Sequence, residues 1–457
     1  MAPPSAAAKL KARSLLLVTL IVAPAIPIAL LGLVLFLTGV TKPGILDAFV
    51  REVLGHDPAT WGGTYLVYAG ALALLALILL TFGAVISGMT VWYEMRLSSR
   101  MQSRVGYNRV GAGGAFQWIA DAVKLLLKED LIPAEADQLL YRSAPYFVLA
   151  GFTLTFVALP FGESLIAADV NVGIFYLTAV TALVVVGILI AGWSSNSKWA
   201  LFGGIRSAAQ VVSYEIPAGI AVMVPILMAG TLSMQGIIRE QGAWPWEWFF
   251  FRNPAAAAAF VIFFISQLAE GNRTPFDLPE AESELVAGYL SEYSGFRFAI
   301  YFLVEFGNLW VMSAISATLF FGGWQVPFVT PADFEAAKGA GSFPALAWWG
   351  LQALSMLVFV VKTLIVMQVV IWVRWTLPRI RIDQMMNLCW KYLVPAAFTT
   401  FVFTLLWQIA VERAPGLETA TGYVLFGAFI LTLIAFSRQT LKNIGLVRGD
   451  RIDLTNW

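Results

Sequence analysis

Long hydrophobic runs alternate with short polar stretches along the whole chain. The runs lie at 15–41, 67–92, 144–161, 172–193, 214–231, 255–269, 298–325, 346–376, 391–411 and 419–436. Each is near the ~20 apolar residues that a helix needs to cross a bilayer, those at 255–269 and 419–436 being the shortest. The pattern predicts an all-α fold, a polytopic transmembrane helical bundle of about ten spans with interfacial amphipathic helices. The run at 15–41 is much longer than the hydrophobic part of a cleaved signal peptide, so it reads as a retained span. Residues 244–251 (WPWEWFFF) form an aromatic belt of the kind found where a membrane meets water.

Composition and charge sharpen this reading. The 457 residues are 59% hydrophobic and 12% charged, with mean hydropathy +0.77. A soluble domain carries roughly twice that share of charge. The net charge of +1 gives no basis for nucleic-acid binding. One Cys (Cys389) and one His (His56) rule out an internal disulfide. They also leave no ligand set for an iron–sulfur cluster, a His-ligated haem or a typical zinc site. Metal ligands are therefore not expected, and any redox centre belongs to a partner subunit. With the N-terminus in the cytoplasm, most of the 29 Lys and Arg residues fall on inner segments. Only Lys42, Arg51, Arg239, Arg252, Lys338 and Arg413 fall outside, and Lys362 lies within a span. That bias supports a multi-pass protein with both termini inside.

The polar segments carry the candidate chemistry. Ala269 to Arg297 holds Glu270, Asp277, Glu280, Glu282, Glu284 and Glu292, opposed within the stretch only by Arg273 and Arg297. Crowded acids repel, which raises carboxyl pKa values and lets several groups share few protons. An acidic face against a membrane points to proton handling, although a solvated loop is the simpler reading. Arg96, Arg100 and Arg104 recur at i, i+4, i+8 and predict one basic face of an interfacial helix beginning at Glu94. That row can pair with lipid phosphate, with a partner's carboxylates or with Glu94. Asp121 to Pro133, with Lys124 and Lys128 on one face, predicts a second interfacial helix, and the two together can rim a cavity. If a helix begins near Gly204, Glu215 lies roughly 16 Å along it, with Arg206 and Gln210 toward the mouth on nearly the same face. Glu305 is placed about 13 Å deep, and Lys362 near the middle of its span. Buried acids and a buried lysine on separate helices read either as a proton relay or as one packing ion pair. Arg379, Arg381 and Asp383 are placed to hold the acidic loop, and Cys389 reads as a small apolar residue.

These segments resemble the H-subunit family of proton-pumping NADH:quinone oxidoreductase, respiratory complex I. The likeness rests on Glu94 with QSRVGYN at 102–108, DAVKLLLKED at 121–130, GWSSNSK at 192–198, and Arg206 with SYE at 213–215. It continues through AEGNRTPFDLPEAESE at 269–284, EYSG at 292–295, Glu305, GGW at 322–324 and DQMM at 383–386. The chain departs from the family pattern at Met95, Tyr107 and Ala112, which loosens the turn expected after Glu94. The resemblance implies a core of eight helices over 67–413. An added helix and outer loop would lie at 1–66, and an added helix and inner tail at 414–457. The added helices are expected to pack against a neighbouring subunit.

The resemblance further implies a membrane subunit that shapes a quinone tunnel and couples quinone reduction to proton translocation without being active alone. Together with the residue chemistry, it assigns Glu94, Arg96, Arg104, Asp121, Lys124, Arg206, Arg273, Phe276, Asp277 and Arg297 to the tunnel and its interface. It assigns Glu215, Glu270, Glu280, Glu282, Glu284, Glu292, Glu305 and Lys362 to a proton path. Quinone is the implied substrate. No cofactor is expected on this chain, with flavin mononucleotide and iron–sulfur clusters on partner subunits. The implied partners are peripheral quinone-site and iron–sulfur subunits, small membrane-arm subunits and membrane lipid, in a bacterial cytoplasmic membrane. Two alternatives stay open: the equivalent anchor of a membrane-bound hydrogenase-type complex, and an ion-coupled secondary transporter, against which the lack of an internal repeat counts.

Overall fold

The computed structural model describes residues 65–279, 281–329, 344–414 and 416–443, apart from the side chains of 65–72, 112, 282–283, 344–347, 349 and 440–443. The expected first span and outer loop, His56, Glu280 and the C-terminal tail lie outside the described residues. Within them the regular elements are helices: α1 (Tyr65–Met101), α2 (Gln117–Leu127), α3 (Gln138–Ala158), α4 (Gly173–Ser194), α5 (Lys198–Ala229) and α6 (Met234–Glu240). They continue with α7 (Pro254–Glu270), α8 (Gly295–Phe320), α9 (Pro344–Thr376), α10 (Val394–Arg413) and α11 (Gly416–Asn443). Every hydrophobic run from 67 onward overlaps one of these helices, although the runs at 144–161, 214–231 and 298–325 extend two to five residues past the helix end. Among the described residues, 7 helices are long and apolar enough to cross a membrane, and α7 is a shorter apolar helix. The chain is a multi-pass helical membrane protein. Helix α3 has the length to span but carries Gln138 and Arg142 in its first turns, and it is buried continuously from Val148 to Ala158.

Contacts define the two ends of the bundle. At one end, Tyr141 Oη donates to Glu292 O (2.7 Å) and Ile380 N donates to Pro275 O (3.2 Å). This is the loop end, where the 271–294 segment sits. At the other end, Trp324 Nε1 donates to Gln235 Oε1 (2.9 Å) and Arg252 Nε meets Glu418 Oε1 at 2.7 Å. The core between them is aromatic: Phe152 meets Phe156 edge-on at 5.1 Å, and Phe161 stacks on Trp310 at 5.7 Å. Helix α11 begins on this chain's own aromatic belt, with Trp246 at 5.6 Å from Tyr423 and Phe251 at 5.3 Å from Phe426. Most of its remaining length is exposed.

Several local expectations change. Glu94 does not begin a separate interfacial helix: α1 runs through it unbroken to Met101, because nothing between breaks helix and Glu94, Ser98 and Ser99 are buried in the bundle. The chain turns at Ser103 (φ 55°) and folds back, so that Trp92 Nε1 donates to Gly113 O at 3.2 Å. Gly114 is required there: at φ +76° its Cβ would meet the Tyr107 backbone at 2.4 Å. The second interfacial helix does form, as α2 with Ile119, Val123 and Leu127 exposed, but it begins at Gln117 and ends at Leu127, so that Lys128 is its extended cap and 129–133 lie outside it. Helix α5 starts at Lys198, not near Gly204, so Glu215 lies about 25 Å along it. Pro217 sits inside that helix and has no N–H for the carbonyl four residues back. That carbonyl, Ser213 O, accepts instead from Cys389 Sγ at 3.1 Å, in a π-helical turn (Leu388–Leu393) leading into α10.

Gly203 sets how closely α5 meets the loop, since a Cβ there would lie 2.7 Å from Tyr289 N and 2.8 Å from Gly288 Cα. Alanine gains about 0.5–1 kcal/mol of helix propensity over glycine, while overpacking against backbone costs roughly 1–3 kcal/mol. Gly203→Ala is therefore expected to lower the thermal midpoint of the purified complex in detergent. An unchanged or raised midpoint would show that the loop yields at no cost.

Candidate functional site

Arg273 lies where α7 gives way to the loop, and it is 2% exposed. Its guanidinium reaches Glu94 of α1 (Nη1–Oε1 3.2 Å) and Glu305 of α8 (Nη2–Oε1 3.2 Å), and it stacks over the Phe306 ring at 4.6 Å. Arg374, in the last turn of α9, pairs with the same oxygen of Glu94. Two carboxylates and two guanidiniums from four separate segments thus form one closely paired cluster. Charges this deeply buried persist only when partners compensate their lost hydration. Sequence reasoning missed Arg374, because the chain shows there only a basic residue closing an apolar run.

The cluster borders a partly open cavity of about 490 Å³ lined by residues of α3, α4, α5, α7 and α8. Glu215, Glu270 and Glu305 all line it, as do Gln267, Asn308 and Tyr301. Gln267 Nε2 donates to Glu270 Oε2 at 3.0 Å, and Glu215 and Glu270 are near enough to interact electrostatically. Glu305 belongs to both places: it pairs with Arg273 and faces the cavity. Glu215 does not share a face with Arg206 and Gln210. Five residues beyond Gln210, it is turned about 140° from it around the helix. The Gln210 face meets the loop, and the Glu215 face, with Val211 and Ala218, meets the cavity.

The acidic loop is not a set of bare, mutually repelling carboxylates. Arg379 Nη2 meets Asp277 Oδ2 at 3.0 Å, as the sequence led us to expect, and Arg206 Nη1 meets Glu284 Oε2 at 2.7 Å. Gln210, fully buried, donates to Ala269 O and Phe276 O, each at 2.7 Å, and so pins both limbs of the turn. Phe276 is buried edge-on against Tyr214 at 5.3 Å. Repulsion within the loop is offset by basic residues far away in sequence, a pairing that local charge counting cannot see. Glu292 contributes its backbone carbonyl to Tyr141, while Arg297 pairs with Asp130 at 3.1 Å. Burial pushes the Asp130 carboxyl above its usual range, outweighing the pull of Arg297 and Arg142.

The remaining expected residues lie apart from the cluster. Arg96 sits over the Trp92 ring at 5.5 Å and does not pair with Glu94. Arg104 is exposed and donates to Gln102 Oε1 at 2.6 Å. Asp121 and Lys124 pair with each other at 3.1 Å on α2. Tyr107, one of the departures from the family pattern, reaches Asp121 Oδ2 at 3.4 Å; burial, then that carboxylate, raises its phenol. Lys362 is not assembled into a relay with the acids. Its ammonium lies over the Trp248 ring at 4.4 Å and donates to Gln325 O at 3.1 Å, toward the far end.

Residues 72–405 match the NADH dehydrogenase family. The chain belongs to that family. It is 74% identical over 415 residues to the H subunit of NADH-quinone oxidoreductase from Anaeromyxobacter dehalogenans (strain 2CP-C), covering 90% of this chain and 100% of the relative. It is 47% identical over 366 residues to the protein of the same name from Chlorobaculum tepidum, covering 79% of this chain and 96% of that one. NADH-quinone oxidoreductase subunit 8 of Rhodothermus marinus is 44% identical over 336 residues, covering 72% and 95%. The matched span takes in all four members of the ion cluster and the whole cavity, whereas α11 lies beyond it.

Breaking a buried ion pair from one side costs about 3–5 kcal/mol, because a charge is left without compensation. Arg273→Met is expected to destabilise the protein by that order, lowering the assembled yield and the thermal midpoint. Adding Glu94→Gln to it should recover part of the loss in a double-mutant cycle. Additive losses would show that the two side chains are not coupled.

Proposed function

We propose that this chain is the membrane subunit of a NADH-quinone oxidoreductase that forms the inner part of the quinone site and couples quinone reduction to proton translocation. The observation that carries this reading is the dual membership of Glu305, in the Arg273 cluster at the loop end and in the acid-lined cavity behind it. The names carried by its family relatives supply the reaction class. With one Cys and one His, the chain offers no ligand set for an iron–sulfur cluster, so the clusters are assigned to partner subunits, and the family resemblance assigns the flavin there as well.

The quinone approaches the loop end, between α1, α2 and the 271–294 segment. There it takes two electrons from a partner's cluster and two protons to become the quinol. This chain surrounds the place with cations of fixed position: Arg273 and Arg374 inside, Arg206 and Arg379 at the loop. Negative charge arriving on the quinone competes with Glu94 and Glu305 for Arg273. When that guanidinium is drawn away, Glu305 loses its counter-charge and takes up a proton, because an unpaired carboxylate in a buried site favours its neutral form. The coupled titration then extends through the cavity to Glu270 and Glu215. The family resemblance also assigns Glu280 and Glu282 to this path, while Lys362, at the far end, is left out of it. The excess of basic residues at the loop end supports placing that end in the cytoplasm of a bacterial inner membrane.

Glu215→Gln and Glu305→Gln test this directly in membrane vesicles holding the assembled complex. Each keeps size and hydrogen bonding but cannot carry a proton. Proton pumping driven by NADH is expected to fall at least about tenfold, in the range for loss of a proton-transfer group. Parental pumping in both variants would remove the cavity from the mechanism.

A further inference from the structure

The cavity contains a hydroxyl that the path just described does not use. Tyr301 is 3% exposed and lines the cavity; its Oη lies near the Tyr293 hydroxyl but makes no hydrogen bond of good distance and angle among the described residues. It stands one helical turn before Glu305 and two before Asn308, so all three share one face of α8. Its ring is held between Tyr293 at 5.0 Å and Tyr289 at 5.7 Å, which fixes the direction of the hydroxyl. Gln267 also faces the cavity. Its amide nitrogen is engaged by Glu270, while its Oε1 has no partner among the described residues. Buried polar atoms left unpaired are costly, so a poorly satisfied hydroxyl and an unpaired acceptor facing one hollow point to a small polar occupant. At about 30 Å³ for each water, the cavity has room for a file of them.

We propose that Tyr301 is a positioning residue for proton transfer: with Gln267 Oε1, its hydroxyl orders a file of water between Glu305 and the Glu270–Glu215 pair. A phenol both donates and accepts, so it can hold one water on each side with a fixed sense of direction. In each transfer one carboxyl loses a proton and one carboxylate gains it. Every water between gives up one proton as it receives another, and the file returns to its starting composition. The proposal rests on the reading that these acids carry protons.

Tyr301→Phe removes one oxygen and keeps the ring packing. In the assembled complex in membrane vesicles, kcat for quinone reduction and the pumping rate are expected to fall together by roughly five- to tenfold, the effect of one lost hydrogen bond on a barrier. The KM for quinone and the thermal midpoint should hold, and the solvent isotope effect on kcat should rise as proton transfer becomes limiting. Parental kcat and isotope effect in Tyr301→Phe, beside inactive Glu305→Gln, would overturn this proposal and leave the proposed function standing. A fall in kcat matched by a lower midpoint or a raised KM, with the isotope effect unchanged, would make the residue structural and also overturn it. Normal pumping in both Glu→Gln variants would remove the underlying reading and this proposal with it.

Discussion

The arrangement at the loop end depends on a guanidinium that is almost fully buried yet surrounded by charge. Arg273 has lost its water, and two carboxylates from distant helices replace it. Such a group can exist only if α1, α7 and α8 come together with side chains already paired. The cluster is thus a requirement on the fold as well as a feature of the site. It sets where the apolar helices stop and where a polar interior begins.

Around that constraint the loop is organised by hydrogen bonds to its backbone more than by its own charges. Gln210 holds Ala269 and Phe276, Tyr141 holds Glu292, and Ile380 holds Pro275. With the backbone pinned, Asp277 and Glu284 are free to meet arginines from other segments. Small changes in charge beside this loop can then be felt at Glu305 without the loop unfolding. The same economy appears in α5, where Pro217 leaves Ser213 O without its helical donor and the Cys389 thiol takes the place. Cys389 is therefore more than the small apolar filler suggested by its type.

The functional reading joins two features that occupy different depths. The ion cluster faces the side where a quinone and its electron donor would sit, and the cavity lies behind it within the bundle. Glu305 is the shared wall. In the mechanism we propose, a carboxylate in that position responds to the state of Arg273 and passes the response to groups that never touch the substrate. Lys362 lacks this connection; its ammonium is satisfied by an aromatic face and a backbone carbonyl.

The sequence by itself determined the fold class, the approximate places of the apolar helices from 67 onward and the family. Hydrophobic runs of spanning length have few other solutions in a bilayer, and the acidic stretch at 269–284 is long and specific. It also placed Glu215, Glu270 and Glu305 within or beside apolar runs, where an acid must have a reason to be. Only the tertiary structure decided which charges meet. The pairing of Glu94 with Arg273 and Arg374 spans separations of 179 and 280 residues, and no local period encodes it. The turn of α5 that separates Glu215 from Gln210, the unbroken run of α1 through Glu94 and the isolation of Lys362 were likewise hidden. Each depends on how one helix rotates and stops against its neighbours, and packing settles that only after the hydrophobic pattern has chosen the helices.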